Sequence, residues 1–208
     1  MKTKYRSAQT EVISVLMITG IIISLVGAAY MWGVPMIDKR TATTDLDIAE
    51  KFMLDLDKKI KEIANSGGGE VSLEIPFGLL RVVPYDSADK TGKNNIALEY
   101  ISKQPIVLGS QSYLMTNNLD EPAVYGSEPR IIAISGESSG NGYLITLNAH
   151  YRELYSGNDR FNIELYTDTG KTEKVGKDSV TISFIENKVL TDQDFGGSLT
   201  LTSIQIRI

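Results

Sequence analysis

Residues 12–37 form an unbroken run of 26 uncharged residues, and this run constrains the fold more than any other feature of the chain. As an α-helix it would extend about 39 Å, which exceeds the ~30 Å hydrocarbon core of a bilayer. The charges before the run include Lys2, Lys4 and Arg6, and those after it begin with Asp38, Lys39 and Arg40. The positive-inside rule therefore predicts a membrane passage with the N-terminus in the cytoplasm and the rest of the chain outside.

Three interpretations of this run remain open. The run is a permanent single-span anchor, or it is a secretory signal that is removed near the small residues Gly27, Ala28 and Ala29. In the third interpretation a peptidase cuts the chain before the run, and the run becomes the N-terminal helix of the mature protein. The run continues past the small residues to Ile37, and Glu11 lies directly against it, which disfavours an ordinary secretory signal. A cut near Glu11 would create a free α-amino group, whose opposite charge lowers the cost of placing the acid in apolar surroundings.

Residues 4–13, KYRSAQTEVI, combine a basic leader, two small residues, a glutamine and the sequence Thr-Glu-Val-Ile. This stretch resembles the class III signal of archaeal type IV pilins and archaellins. The resemblance implies that a membrane-embedded prepilin-type peptidase removes the leader, after which the apolar helices pack into the core of an extracellular filament. Ser7 and Ala8 stand where that family usually has glycine, which leaves two candidate bonds. Ala8–Gln9 is the preferred cleavage site, and Arg6–Ser7 is the alternative.

The resemblance also implies that the apolar helix carries the assembly contacts. The predicted assembly residues are Glu11, Val12, Ile13, Leu16, Ile21, Ile22 and Leu25. Glu11 would lie in the first turn of the mature helix, where the macrodipole favours an anion. A plain solvated position among lipid headgroups is the competing interpretation of this acid. Gly20, Ser24 and Ala28 stand four residues apart, a row that permits close helix–helix approach but is also ordinary in membrane spans.

A second helical pattern follows the run. Its apolar residues recur at spacings of three and four, at Leu46, Ala49, Met53, Leu56, Ile60 and Ile63. Thr44 or Asp45 is the predicted cap at its start, Gly67-Gly68-Gly69 predicts its end, and Gly33 and Pro35 predict a bend before it. Because the polar face mixes acids with lysines, we expect the apolar stripe to pack on the downstream domain rather than lie on a membrane.

From Glu70 onward the apolar period changes to two, which predicts strands. After alternating stretches at 71–75 and 80–83, strands are predicted at 96–102, 106–108, 112–115, 131–135, 143–150, 161–167, 180–186 and 199–208. Short strands without helical patterns between them predict an antiparallel β-sandwich or barrel, and the sandwich is preferred. The predicted fold class is α+β: a leader at 1–8, a hydrophobic plus amphipathic helix at 9–66, and a β-sandwich head at 67–208. The last strand would promote aggregation unless it is paired internally or by a neighbouring subunit.

Composition narrows the possible chemistry. The chain has no cysteine and one histidine, His150, which excludes disulfides, thiol nucleophiles and Cys/His zinc sites. The string Gly-Glu-Ser-Ser-Gly at 136–140 matches a nucleophile elbow, but no helical pattern follows it, so a hairpin turn is preferred. Acids at 86–89 and 192–194 offer calcium ligands, although solvated turns explain both stretches better. We therefore expect no cofactor, no metal and no enzymatic activity.

The predicted function is that of a pilin, a structural subunit of an extracellular type IV-like filament that supports adhesion or motility. Its expected partners are copies of itself, a prepilin-type peptidase, a pilus assembly platform and, before assembly, the cytoplasmic membrane. A net charge of −5 argues against nucleic acid as a partner. The alternative is a single-span, membrane-anchored extracellular β-sandwich that binds a ligand or serves as an accessory part of a pilus or archaellum machine.

Overall fold

The computed structural model describes residues 4–85, 94–107, 109–114, 123–140, 142–168, 171–192 and 197–208. The chain divides into two compact units, Met1–Thr41 and Ala42–Ile208. A single helix, α1 (Lys4–Ser66), is followed by strands, so the predicted α+β fold class is confirmed.

Twelve strands follow the helix in the described part of the chain. They are β1 (Glu70–Glu74), β2 (Leu79–Val83), β3 (Asn95–Ser102), β4 (Gly109–Leu114), β5 (Ala123–Val124), β6 (Arg130–Ser139), β7 (Gly142–Tyr151), β8 (Leu154–Ser156), β9 (Asp159–Thr167), β10 (Glu173–Val175), β11 (Ser179–Asp192) and β12 (Gly197–Arg207). The longer predicted strands are all present. The predicted strand at 106–108 is absent over 106–107, and residue 108 lies outside the described residues. The strands β5, β8 and β10 were not predicted, because two or three residues carry no measurable period.

Six strands form sheet A, in the order β1-β11-β12-β9-β8-β5. Here the prediction of an antiparallel head is wrong for two pairs, since β12 pairs with β9 and β5 pairs with β8 in parallel. The cause is a crossover. The chain leaves sheet A after β9, adds β10 to the other sheet, and returns as the β11–β12 hairpin. It likewise forms β6 and β7 in the other sheet between β5 and β8. Parallel strands need such connections because no tight turn can join them.

Sheet B has the order β10-β2-β3-β7-β6-β4, and all its pairs are antiparallel. The register of β6 with β7 extends to Ser139 opposite Gly142, so the Gly-Glu-Ser-Ser-Gly string lies in the hairpin between them. Gly140 has a φ of 57°, the left-handed conformation that tight hairpin turns require. The prediction of a hairpin turn is confirmed, although the strands extend further into the glycine-rich stretch than expected.

One hydrophobic cluster contains residues of α1, sheet A and sheet B. Ala49, Met53, Leu56, Ile60 and Ile63 of the predicted stripe are buried in this cluster, and Leu46 packs against it. The prediction that the stripe packs on the downstream domain is confirmed. Each fully buried Leu, Ile or Met contributes about 1.5–3 kcal/mol relative to an exposed position, so the stripe is a large part of what holds residues 42–66 to the strands.

The helix ends where the glycines predict. Gly67 adopts a φ of 64°, and the Ser66 hydroxyl donates to the Ile63 carbonyl at 3.0 Å. The predicted cap at Thr44 or Asp45 is wrong, because α1 continues through both residues. A cap is needed only where helical hydrogen bonding begins, and here it begins near the start of the chain. Pro35 lies inside the helix.

Two residues fix connections between strands. Gly78, with a φ of 81°, lies where β1 of sheet A leads into β2 of sheet B, and a Cβ there would collide with the Glu99 carbonyl oxygen. Asn94 is 2% exposed, and its side-chain amide donates to Ile163 O at 2.7 Å while its Oδ1 accepts from Leu165 N at 2.9 Å. Since Asn94 directly precedes β3 in sheet B, these bonds tie sheet B to β9 of sheet A.

Candidate assembly surface and helix anchor

The apolar surface, defined as the side chains of residues 12–37, is exposed to solvent in the chain as described. Its large apolar side chains range from 37% exposed at Val34 to 82% at Trp32. The predicted assembly residues on this surface are each 53–66% exposed, namely Val12, Ile13, Leu16, Ile21, Ile22 and Leu25. At 3.6 residues per turn they point in all directions around the helix, so the structure does not gather them on one face. The whole circumference is apolar.

The remaining predicted site residues are Ala8, Gln9 and Glu11. Their backbone belongs to α1, but their side chains lie outside the part of the chain that the structure describes. Cleavage at Ala8–Gln9 and the pairing of Glu11 with a new amino group therefore stay predictions.

Two hydroxyl groups within the apolar surface are satisfied by the helix itself. Thr19 Oγ1 donates to Val15 O and Ser24 Oγ donates to Gly20 O, each at 2.8 Å. A hydroxyl in hydrocarbon costs several kcal/mol if it has no partner, and these local bonds remove that cost. The surface is therefore compatible with lipid or with other apolar helices. Among the described residues, α1 is the one helix long and apolar enough to cross a membrane, as an anchor or as a signal segment would.

A second feature, the helix anchor, consists of Asp57, Lys61, Glu128, Arg130 and Tyr151. Asp57 is 2% exposed. One of its carboxylate oxygens lies 3.0 Å from Arg130 Nε and 3.2 Å from Lys61 Nζ, and the other accepts from the Tyr151 hydroxyl at 3.1 Å. Lys61 Nζ also lies 2.7 Å from Glu128. Because Arg130 begins β6 and Tyr151 ends β7, the anchor joins α1 to the end of this hairpin in sheet B.

The pKa values in the anchor reflect its burial and its charges. Burial, reinforced by Asp57, raises the pKa of Tyr151 well above its usual value, so its hydroxyl stays protonated and donates. The hydrogen bond from Lys61 lowers the pKa of Glu128. Burial acts to lower the pKa of Lys61, but the hydrogen bonds and charges of Glu128 and Asp57 outweigh it and raise that pKa. Lys61 and Glu128 are therefore charged at neutral pH.

The helix anchor was not predicted from the sequence, although the helical pattern contains a sign of it. Asp57 stands four residues after Met53 and three before Ile60, so it lies on the apolar stripe and not on the polar face. An acid on a buried stripe requires a cationic partner. Nothing in the sequence identifies that partner as Arg130, which is 73 positions later and reaches Asp57 only through the strand register.

A cleft of about 370 Å³ opens beside the anchor, and we call it the Lys61 cleft. Its walls come from the last turns of α1, residues 125–129, and the strands β9 and β12. Tyr125 and Phe161 line the cleft, with ring centroids 4.8 Å apart. Lys61 and Arg152 also line it, and the Arg152 guanidinium donates to the Glu128 carbonyl oxygen at 2.9 and 3.1 Å.

The other sequence candidates are not assembled into a site. His150 lies near the end of β7, with Asn95 and Ile131 as its neighbours across the strands. Ser138 is in the hairpin strand β6, opposite Tyr143. The acidic stretch at 86–89 and the side chains at 192–194 lie outside the described residues. Within the described part of the chain, no group of three or more His, Asp or Glu side chains is placed to hold a metal ion.

Comparison of the chain with protein-family models, with curated proteins and with solved structures gives no match.

Proposed function

We propose that this chain is a pilin-like structural subunit, which assembles through its apolar helix into an extracellular filament with a β-sandwich head on the outside. The observation that carries the proposal is the apolar surface. Side chains on every side of residues 12–37 are exposed, and none of the most apolar segment is buried within the chain. Water is an unfavourable environment for such a surface, which therefore requires lipid, other copies of the helix, or each in turn.

The distribution of apolar residues favours a two-stage role. A helix that pairs with one partner needs one apolar face, whereas a helix that first crosses a bilayer and then enters the centre of a bundle needs apolar residues all round. The internally bonded hydroxyls of Thr19 and Ser24 suit both environments. A β-sandwich head is supported by the single core cluster to which both sheets contribute.

The helix anchor supplies a mechanical reason for this interpretation. A filament subunit must transmit force between its helix and its head. The buried stripe and the Asp57–Arg130 pair fix residues 42–66 of α1 in the head, so a load on the helix passes directly into sheet B.

N-terminal mass analysis of filaments sheared from cells tests the proposal. We expect a chain that begins at Gln9, or at Ser7 if the alternative bond is cut. An intact Met1 confined to the membrane fraction would contradict assembly and favour a membrane-anchored binding protein. A start near Tyr30 would indicate ordinary secretion.

A pair of variants separates assembly from membrane insertion. Gly20→Leu enlarges the small-residue row, in which a Cβ at Gly20 meets no atom within 4 Å in the isolated chain. This change increases apolar character, so insertion should persist while filament yield falls. Val15→Leu, on the opposite side of the helix from the row, is the matched control and should assemble better than Gly20→Leu. Equal filament yields from the two variants would show that the row makes no close contact.

The acid at the start of the helix has its own test. Glu11→Gln keeps the shape of the side chain and removes the charge that is proposed to pair with the new amino group. We expect lower filament yield with an unchanged head, and Asp55→Asn, an exposed acid further along α1, should assemble normally. Normal filaments from Glu11→Gln would identify the acid as an ordinary interfacial residue.

A further inference from the structure

A second cleft, of about 550 Å³, opens in the second unit beside the start of β2, and we call it the Asp45 cleft. Its walls are Asp45 of α1, residues 77–79, residues 99–101 of β3, and Leu144 of β7. The pairing of β2 with β3 stops at Leu79 opposite Glu99, so the rest of β3 has no partner on that side among the described strands. The cleft has the size of a small-molecule site, since such sites are generally about 300–1,000 Å³.

Asp45 supplies a carboxylate that nothing compensates. Its side chain is half-buried, and in the described part of the chain its carboxylate makes no hydrogen bond and no ion pair. The other acid that lines the cleft, Glu99, lies 3.2 Å from the Arg81 guanidinium, which also lies 2.8 Å from Glu173. Arg81 is therefore occupied by two acids, and the cleft carries an excess of negative charge. A partly buried charge of this kind is stabilised by a cation.

The Tyr100 side chain provides a second, independent sign of a ligand. It lines the cleft and is 7% exposed, yet its hydroxyl has no hydrogen-bond partner among the described residues. Burial raises the pKa of this hydroxyl, and the charges of Asp45 and Glu50 raise it further. Buried hydroxyl groups in folded proteins generally have a partner. A positively charged donor that enters between Asp45 and Tyr100 would satisfy both side chains.

The remaining walls select the kind of cation. Phe77 and Tyr100 meet edge to face with ring centroids 5.1 Å apart, and the face of an aromatic ring attracts a cation. Leu79, Leu144 and Ile101, which is 61% exposed, add apolar surface that suits methylene groups. Calcium requires six to eight oxygen ligands, and no group of three or more His, Asp or Glu side chains within the described ranges is placed to hold a metal ion. An alkyl chain that ends in an ammonium group matches these walls.

We propose that the Asp45 cleft binds a primary alkylammonium group, with the ammonium between Asp45 and Tyr100 and the alkyl chain along Ile101. A free amine and a lysine side chain from a second copy of this chain both present this chemistry. The cleft lies within the second unit, so binding does not depend on filament assembly.

Saturation-transfer NMR on the full chain tests the proposal. The protein is held in dodecyl maltoside, because an uncharged detergent does not compete for a cation site. The probes are n-butylammonium chloride and n-butanol, with calcium chloride as competitor. We expect transfer to butylammonium, weaker binding of the neutral butanol, and a loss of affinity as ionic strength rises. Calcium chloride should compete no better than sodium chloride of equal ionic strength.

Variants assign the signal to the cleft. Asp45→Asn should weaken butylammonium binding about tenfold or more, because a hydrogen bond to a charged group contributes that factor. Ile101→Ser, which removes part of the apolar wall, should weaken it about threefold. Asp55→Asn is the matched control and should bind normally, since Asp55 is an exposed acid of α1 that does not line the cleft. The Asp45 carboxylate has no partner to lose, so Asp45→Asn should keep its thermal unfolding temperature, and that measurement separates lost binding from lost folding.

Cross-linking identifies the source of the amine. Chains labelled with ¹⁴N and ¹⁵N are mixed and treated with a carbodiimide, which joins a carboxylate to an amine in contact with it. A mixed-isotope cross-link from Asp45 to a lysine assigns the site to a second copy, and its absence while butylammonium binds assigns the site to a free amine. Four outcomes would overturn the proposal: no transfer to butylammonium, equal affinity for butanol, competition by calcium beyond that of sodium, or normal binding by Asp45→Asn.

Discussion

Removing the Asp57 carboxylate would break the helix anchor at its centre. In Asp57→Ala, the Arg130 guanidinium, whose side chain is only 10% exposed, loses its carboxylate partner at 3.0 Å. The Tyr151 hydroxyl loses the acceptor at 3.1 Å that it uses while buried. Breaking a buried ion pair from one side costs about 3–5 kcal/mol, because the remaining charge stays buried without compensation.

Lys61 and Glu128 modify this cost only slightly. Their side chains are 28% and 50% exposed, and exposed pairs of this kind contribute about 0.2–1 kcal/mol. The second unit has a size at which 1 kcal/mol corresponds to roughly 2–4 °C, so Asp57→Ala should lower the unfolding temperature by some 6–20 °C. Near-ultraviolet circular dichroism of tyrosine, recorded on the full chain in detergent, measures this directly.

Asp55→Ala is the matched control, since Asp55 is an exposed acid two positions earlier on the same helix. Its effect should stay within about 0.5 kcal/mol. The combined variant Asp57→Leu/Arg130→Met removes both charges, and it should be more stable than the sum of the single changes predicts. The reasoning would be refuted if Asp57→Ala unfolded at the same temperature as Asp55→Ala, or if the two changes were additive.

Three further outcomes are expected. Gly78→Ala should destabilise the head by more than about 1 kcal/mol because its φ and its contact with a backbone carbonyl exclude a Cβ, whereas Gly68→Ala, with open space and no positive φ, should not; urea midpoints compare the two. Burial raises the pKa of Glu164 above 4.5, so ionisation of this acid lowers the stability of the folded state as pH rises through its folded-state pKa. Glu164→Gln should therefore melt at a higher temperature than the parent at pH 7 but not at pH 4. Lys61 lowers the pKa of Glu128, so the contribution of Glu128 to folding stability is present above pH 4.5 and is lost as pH falls through its folded-state pKa. Glu128→Gln should therefore lower the stability by about 0.2–1 kcal/mol at pH 7 and leave it unchanged in acid, which melting curves at both pH values would measure.

Local periodicity was enough to predict much of the fold. The uncharged run, the stripe from Leu46 to Ile63 and the alternation in the longer strands each follow from neighbours in sequence, and the structure contains all three. The prediction of an all-antiparallel head failed because it depends on distant partners. No local pattern distinguishes the parallel β9–β12 pairing from an antiparallel one, because both present the same alternation.

The same distinction applies to the candidate sites. The apolar surface could be predicted residue by residue, since composition alone defines it. The Lys61 cleft could not, because Tyr125 and Thr202 come to line one cleft with Lys61 only after sheet A has formed and α1 has packed on the strands. The helix anchor could be predicted in part. The sequence places Asp57 on the apolar face of the helix, where an acid needs a partner, but only the register of β6 identifies that partner as Arg130.

The position of β12 has a consequence for the order of events during synthesis. This strand is made last among the twelve, yet it lies between β11 and β9 in sheet A and contributes Ile204 and Ile206 to the core. Sheet A therefore cannot close while the ribosome is still producing residues before β12, although the apolar helix has left the ribosome long before. During that interval the stripe on α1 has no complete surface to cover it. A chain of this design should need either rapid completion of β12 or a chaperone that covers the stripe, and its head should fold only after β12 has been made.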